Sequence, residues 1–228
     1  MLNEWNGLPI VIYGTGGCAK EIKALIDEIN DYSYTNIYHL VGFVTNDPNE
    51  IGKSIEDVEI ITSNVEFSGY SDKFPVIGVI IGLADPKIKE KIYQEIMDLN
   101  KSNIVFPNLI HPLSKLSKSS NNNMGYGNVI CSGVNLTVNV KLGNFILLNR
   151  SCNIGHDSTV GDFCTINPAA VISGNVSIGE LTLIGAGACV REKTNIGVKS
   201  IVGLGAIIIK NVEDSTIVIS KAATKMST

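Results

Sequence analysis

The chain lacks any apolar run of 18 or more residues, so no segment reads as a transmembrane helix and no membrane insertion is expected. It also lacks a basic run. Lys and Arg are scattered and the formal net charge is −4, whereas nucleic-acid binding normally needs a basic patch, so that class of partner is set aside. The start, Met1 to Gly7, has no basic segment ahead of an apolar one and does not read as a signal peptide. Cysteines number five, which is odd, and no two stand at C-x-x-C spacing. That argues against a disulfide framework and against a zinc site, and the thiols are expected to be small, buried, reduced apolar residues of a cytoplasmic protein without a metal. Histidines are scarce: His39, in an expected strand, His111, ahead of Pro112 at an expected domain joint, and His156.

Against these absences, the first hundred residues carry a recognisable order. Leu8 to Tyr13 is a short apolar run that reads as a buried strand. Gly14-Thr15-Gly16-Gly17-Cys18-Ala19 follows at once as a G-x-G-x-x-A pattern, and Ile22, Leu25, Ile26 and Ile29 then fall at helical spacing. Glycines between a strand and a helix allow a tight turn and a close backbone approach, and a helix N-terminus favours an anion such as a phosphate. Further strands are expected at 37–44 and 76–83. A helix should open on Asp85 and Pro86, bury Ile88, Ile92, Ile96 and Leu99, and stop at Asn100. The result is a small open α/β sheet. An NAD-type fingerprint would place an acidic residue at the end of the second strand, where this chain has Thr45 and Asn46, with Asp47 slightly late. A nucleotide or sugar-nucleotide phosphate at the glycine loop fits better than a redox cofactor, and a purely structural turn is the plain alternative.

The second half repeats. Every sixth residue from Met124 through Ile130, Leu136, Leu142, Leu148, Ile154 and on to Ile208 is apolar, fifteen in succession without a slip. Neither a helix of period 3.6 nor a strand of period 2 yields a strict six. Six-residue repeats are the signature of a parallel β-helix, in which each straight segment places one aliphatic residue in a central stack. Glycine commonly comes next (Gly143, Gly155, Gly161, Gly179, Gly185, Gly197, Gly203) and is expected to ease the turn. Small residues often stand two places before the stack, as at Ala170, Thr182, Ala188 and Ser200. The ends of such a stack need caps, and the tail after Lys210 is expected to leave the coil as a cap or a partner contact.

These features together resemble the hexapeptide-repeat acyltransferases, and within them the sialic acid O-acetyltransferase/PglD-like group of sugar O- and N-acetyltransferases. The likeness rests on the glycine loop, Gly42-Phe43-Val44 with Asp47-Pro48, Leu109-Ile110-His111-Pro112, and Asn149 through Asp162, in that order. It implies a Rossmann-like substrate domain over 1–107, followed by a left-handed β-helix over 108–228. It also implies a homotrimer with acetyl-CoA lying in a groove between subunits. By the same resemblance His156 is the general base and Asp157 its partner, with Asn149 lining the site. Thr165, Gly174, Ala186 and Leu204 would stand along the cofactor, and Gly16, Gly17, Cys18, Thr45, Asn46 and Gly82 around the acceptor's nucleotide. Two departures stand out: many relatives have a second histidine at the position of Thr165, and uridine-recognising relatives have paired aspartates at Thr45 and Asn46.

The residues themselves support the assignment of His156. It lies two places after the stacked Ile154, in a turn, and so should point outward. An imidazole ordinarily titrates near pH 6.5 and can take the proton of an attacking amine or hydroxyl at neutrality. No cysteine has an evident histidine partner, so direct transfer is expected rather than a covalent acyl-enzyme. The leading expectation is acetyl-CoA-dependent N-acetylation of an amino-sugar nucleotide in surface-glycan synthesis. O-acetylation of a sialic acid or another sugar is the second reading, a non-catalytic β-helix scaffold the third, and a dehydrogenase the fourth.

Overall fold

In the computed structural model, which describes residues 6–116 and 121–222, the first apolar run forms β1 (Leu8–Tyr13) and the glycine loop leads into α1 (Gly17–Asp31). Residues 1–5, on which the reading of the amino terminus rests in part, lie outside the described residues. β2 (Tyr38–Thr45), β3 (Ser54–Ile55), β4 (Val58–Ser63), α2 (Phe67–Ser71), β5 (Ile77–Ile81), α3 (Pro86–Asp98) and β6 (Ile104–Val105) complete a sheet of order β3-β4-β2-β1-β5-β6. All its pairings are parallel except β3 with β4. The chain leaves β1 towards β2 on one side and later places β5 on the other. The crevice where ligands collect in open α/β sheets therefore lies at the carboxyl ends of β1, β2 and β5.

The four α1 residues expected to be buried are buried. Helix α3 opens as expected, with Asp85 accepting from the N–H groups of Lys87 (2.9 Å) and Ile88 (3.0 Å). Its buried side differs from the expectation, because Ile88 is exposed while Lys89 is fully buried. The helix is pressed against a second body as well as its own sheet, and Lys89 reaches into that contact. Leu99 is the C-cap, with Asn100 following at φ 52°.

From Leu109 the chain winds as a parallel β-helix, left-handed as in the hexapeptide-repeat fold, with three strands per turn. Partner strands in successive coils are eighteen residues apart, as in Val129↔Leu147, Asn135↔Asn153 and Lys141↔Thr159. Three flat faces result. Face 1 runs from Leu109–Ile110 to Ile217–Val218, face 2 from Lys115–Leu116 to Ile207–Ile208, and face 3 from Asn123–Met124 to Asn195–Ile196. All fifteen repeat positions except Met124 are buried in one continuous core, and Met124 packs against it. Ile110 and Leu116 join the same core one coil before the repeat becomes visible. The strands at Lys115 and Asn123 are eight residues apart instead of six, which hides that coil from a fixed period. From Lys210 to Val218 the chain stays on the coil instead of leaving it as expected: Val212 bridges to Ile196 and Ile217–Val218 pairs with Ile201–Val202, while residues 223–228 of that tail lie outside the described residues.

The glycines after the stack do a different job from the one expected. The left-handed backbone falls two residues later, at φ between 54° and 60° for every non-glycine turn from Asn121 to Lys199. Gly155, Gly161 and Gly179 are needed because coils approach closely there: a Cβ would lie 2.5–2.6 Å from the next coil's backbone nitrogen. The small residues before the stack also bond between coils. Ser158 Oγ donates to the Ser173 carbonyl (3.0 Å), Thr182 Oγ1 to Gly197 (2.8 Å) and Ser200 Oγ to Glu213 (2.8 Å).

The first domain docks on face 1, where Leu109, Val129 and Leu147 pack with α1. It also covers the edge between faces 3 and 1, whose turns carry Phe145, Phe163 and Leu181, all buried at positive φ. Phe145 and Phe163 stack at 5.2 Å, nearly parallel, and Tyr93 of α3 packs on both. A left-handed turn costs an L-residue about 1–2 kcal/mol. Burying a phenylalanine stabilises by roughly 1.5–3 kcal/mol, with about 0.5–1.5 more from ring pairing, so the contact outweighs the strain. Lys89 Nζ donates to the carbonyls of Phe145 (2.9 Å) and Cys164 (3.0 Å). Along α1, Arg150 meets Glu21 at 2.6 Å, and the buried His111 meets Glu28 at 2.9 Å. Among the described residues no helix is long and apolar enough to cross a membrane.

Candidate active site

His156 and Asp157 sit on the edge between faces 2 and 3. Asp157 takes the left-handed turn position (φ 59°), which aspartate tolerates better than most residues. Its Oδ2 meets His156 Nδ1 at 2.8 Å, and its Oδ1 accepts from Asn139 Nδ2 of the preceding coil at 2.9 Å. The hydrogen bond from His156, then that from Asn139, hold the Asp157 carboxyl below its usual range. An ionised carboxylate on Nδ1 selects the tautomer with the proton on that nitrogen and leaves Nε2 as the acceptor. The imidazole lies over Gly174 of the next coil, where an added Cβ would stand 2.7 Å from Cε1. Gly174 is thus the seat of the ring. Both side chains of the dyad are open to solvent, with His156 at 60%.

Asn149, Ala186 and Leu204 lie on a different edge, between faces 1 and 2. Asn149 is buried and donates to Asn167 Oδ1 at 3.3 Å, while Ala186 and Leu204 are exposed. The two edges flank face 2, whose outward row is Asn135, Asn153, Val171, Cys189 and Ile207. Val171 and Ile207 are among the exposed large apolar residues. Within one chain these two groups of expected site residues are therefore separated by the width of a face. Thr165 belongs to neither group. It is fully buried on face 1 and donates to the Ala84 carbonyl at 2.7 Å, so it ties the domains together and lines no open groove.

In the first domain a cavity of about 320 Å³ opens at the expected crevice, lined by Gly14, Thr15, Gly16, Thr45, Asn46 and Asn64, with Ile88, Lys91, Ile92 and Glu95 of α3 opposite. Gly17 starts α1 beside it. Gly82 lets β5 pass α1, since a Cβ there would lie 2.6 Å from Ile12 and 3.1 Å from Ala19. Cys18 is half-buried, and burial pushes its thiol up to about 11. Burial likewise pushes the thiols of Cys131, Cys152 and Cys164 up to about 12, so none of the four is a ready nucleophile. Cys189, expected to be buried, is exposed because it stands on the outward side of its strand, beside the stacked Val190. Asn64, Lys91 and Glu95 were not singled out in the sequence, because β4 and the outward side of α3 carry no motif. Among the described residues no three metal-binding side chains converge.

A Rossmann-like domain docked on a left-handed β-helix defines the class, and solved structures share the whole arrangement. A variant of perosamine N-acetyltransferase from Caulobacter crescentus, in complex with CoA and GDP-perosamine, superposes with a TM-score of 0.82 at 23% identity, over 93% of this chain and 93% of that one. The acetyltransferase domain of PglB from Neisseria gonorrhoeae, in complex with acetyl coenzyme A, gives 0.80 at 24% identity over 96% and 100%. WeeI from Acinetobacter baumannii gives 0.78 at 24% over 93% and 97%. At these identities the likeness establishes the fold. No curated protein sequence matches the chain. Residues 9–96 match the family model of the PglD N-terminal domain.

Proposed function

We propose that this chain is an acetyl-CoA-dependent acetyltransferase that N-acetylates an amino-sugar nucleotide, a 4-amino-dideoxy sugar, for bacterial surface-glycan synthesis in the cytoplasm. The observation that carries the reading is the oriented imidazole: His156 held through Nδ1 by Asp157, with Nε2 free above Gly174. The acceptor amine attacks the thioester carbonyl, Nε2 takes the amine proton, and the CoA thiolate leaves. Raised thiol pKa values at four of the five cysteines favour this direct transfer over an acyl-cysteine intermediate. The similar structures with CoA, acetyl coenzyme A and GDP-perosamine bound point to the same pair of substrates.

The reading requires more than one copy. The cavity rides on face 1, whereas His156 stands on the edge opposite that face. An acceptor held in one chain's cavity is then acetylated by the histidine of a neighbour, with Ala186, Leu204 and Asn149 of one chain completing the groove beside His156 and Gly174 of another. A head-to-tail contact of this kind closes into a ring when its rotation is a whole fraction of a turn, and we propose a homotrimer with face 2 turned inward.

Thiol release from acetyl-CoA tests the function, with 4-amino-sugar nucleotides compared against sialic acids and other hydroxyl acceptors. Turnover on an amine acceptor is expected. Turnover confined to a hydroxyl would replace N- by O-acetylation, and failure to bind acetyl-CoA at all would leave the β-helix a scaffold.

A further inference from the structure

The second strand ends without an acidic residue, yet a carboxylate stands there. Glu50, on the 3₁₀ turn Pro48–Glu50 after β2, folds back so that its Oε2 accepts from Thr45 Oγ1 at 2.6 Å and from Thr15 Oγ1 at 3.4 Å. Thr45 is buried at the end of β2, Thr15 belongs to the glycine loop after β1, and both line the cavity. The turn itself is fixed by Asp47, which accepts from the Asn49 N–H at 3.0 Å, while the Asp47 N–H bonds back to Thr45 Oγ1 at 3.1 Å. Glu50 is half-buried, and no lysine or arginine among the described residues pairs with it. Both hydroxyls bond to one oxygen, and among the described residues no side-chain hydrogen bond is directed to Oε1.

In strand–glycine loop–helix units the carboxylate at the end of the second strand binds the ribose hydroxyls, with the phosphates at the helix N-terminus. We infer that Glu50, which stands behind Thr45 and Thr15 rather than in the cavity lining itself, is the ribose-binding residue of this chain: its carboxylate, delivered from five residues beyond Thr45, accepts hydrogen bonds from the 2′- and 3′-hydroxyls of a ribonucleoside diphosphate seated at the glycine loop. This assigns the position of Thr45 a new task, that of anchoring the carboxylate rather than supplying it. The inference rests on the reading that the cavity takes a nucleotide, and makes the pocket selective for a cis-diol.

Calorimetric titration of the full-length protein with GDP, UDP, CDP and ADP, each beside its 2′,3′-dideoxy form, tests it. At least one ribonucleotide is expected to bind at least about tenfold more tightly than its dideoxy form, because hydrogen bonds to a charged acceptor are the stronger kind. In Glu50→Gln the ribonucleotide should fall to the affinity of its dideoxy form, while the dideoxy form binds as before. The glutamine keeps an acceptor for Thr45 and Thr15, and an unchanged melting curve would confirm an intact turn. Equal binding of ribo and dideoxy forms by the unmodified protein, or equal weakening of both by Glu50→Gln, overturns the role of Glu50 and leaves nucleotide binding standing. If no nucleoside diphosphate binds the unmodified protein, the nucleotide reading falls and this inference with it.

Discussion

The edge that carries Phe145, Phe163 and Leu181 and the edge that carries Asn139, Asp157 and Asn175 share one backbone: the same six-residue phase and the same left-handed turn near φ 57°. They differ in what lies outside them. The first is roofed by α3 and Phe106 and holds bulky apolar side chains in a conformation that costs them energy. The second is open to solvent and holds polar side chains that tolerate the turn, with an imidazole just ahead of one of them. The coil fixes where each side chain projects, and the surroundings decide whether that place is closed for cohesion or left open to solvent.

Removing a ring from the roofed edge should have the largest effect. Phe145→Ala is expected to cost about 3–5 kcal/mol, read by urea unfolding, because it empties the centre of the contact between the domains. A cost below about 1 kcal/mol would show the two bodies to be independently stable. On the open edge, His156→Ala should leave stability unchanged and lower turnover at least about a hundredfold. Near-normal turnover would remove His156 as the base. Gly174→Ala should displace the imidazole and lower kcat by about tenfold, with the affinity for nucleotide kept, since the first domain and not the imidazole would hold the nucleotide. The smallest effect concerns Lys89, whose ammonium burial pulls down to about 7, against opposing effects of Cys164, Cys18 and Asp85. The unfolded chain keeps its lysine proton up to about pH 10, so between those values it binds more protons than the folded one and stability rises with pH. A gain of about 1 kcal/mol between pH 7 and 8 is expected, and should be absent in Lys89→Met. A flat profile in the unmodified protein would place Lys89 in contact with solvent.

The comparison also explains what was legible in the residues alone. The stack from Ile130 to Ile208 could be read because one aliphatic residue per six admits no substitute. The outward aspect of His156 follows from that phase, as does its separation from Asn149. The roofed edge was written in the chain too, at a spacing of eighteen: Phe145, Phe163 and Leu181 stand one coil apart, visible only once three repeats are known to close a turn. Thr165 illustrates a limit. Its place next to the stacked Ile166 says that it points outward, but not that a second domain covers it. Lys89 and Ile88 exchange their expected places for the same reason, since a helix pattern cannot foresee contacts 56 and 75 residues further along the chain. Glu50 was hidden because its role comes from folding back onto Thr45, which no linear motif records.

On the proposed ring, the opposition of face 1 and the edge bearing His156 would make each chain half of two different workplaces and the whole of none. Two populations of subunits, one spoiled in the cavity and the other in the histidine, would each be inert alone, yet ring assembly from a mixture would juxtapose an intact cavity with an intact histidine at some junctions. Defects at these distant positions would then complement one another between chains, and a single damaged copy would poison its neighbour's site as well as its own.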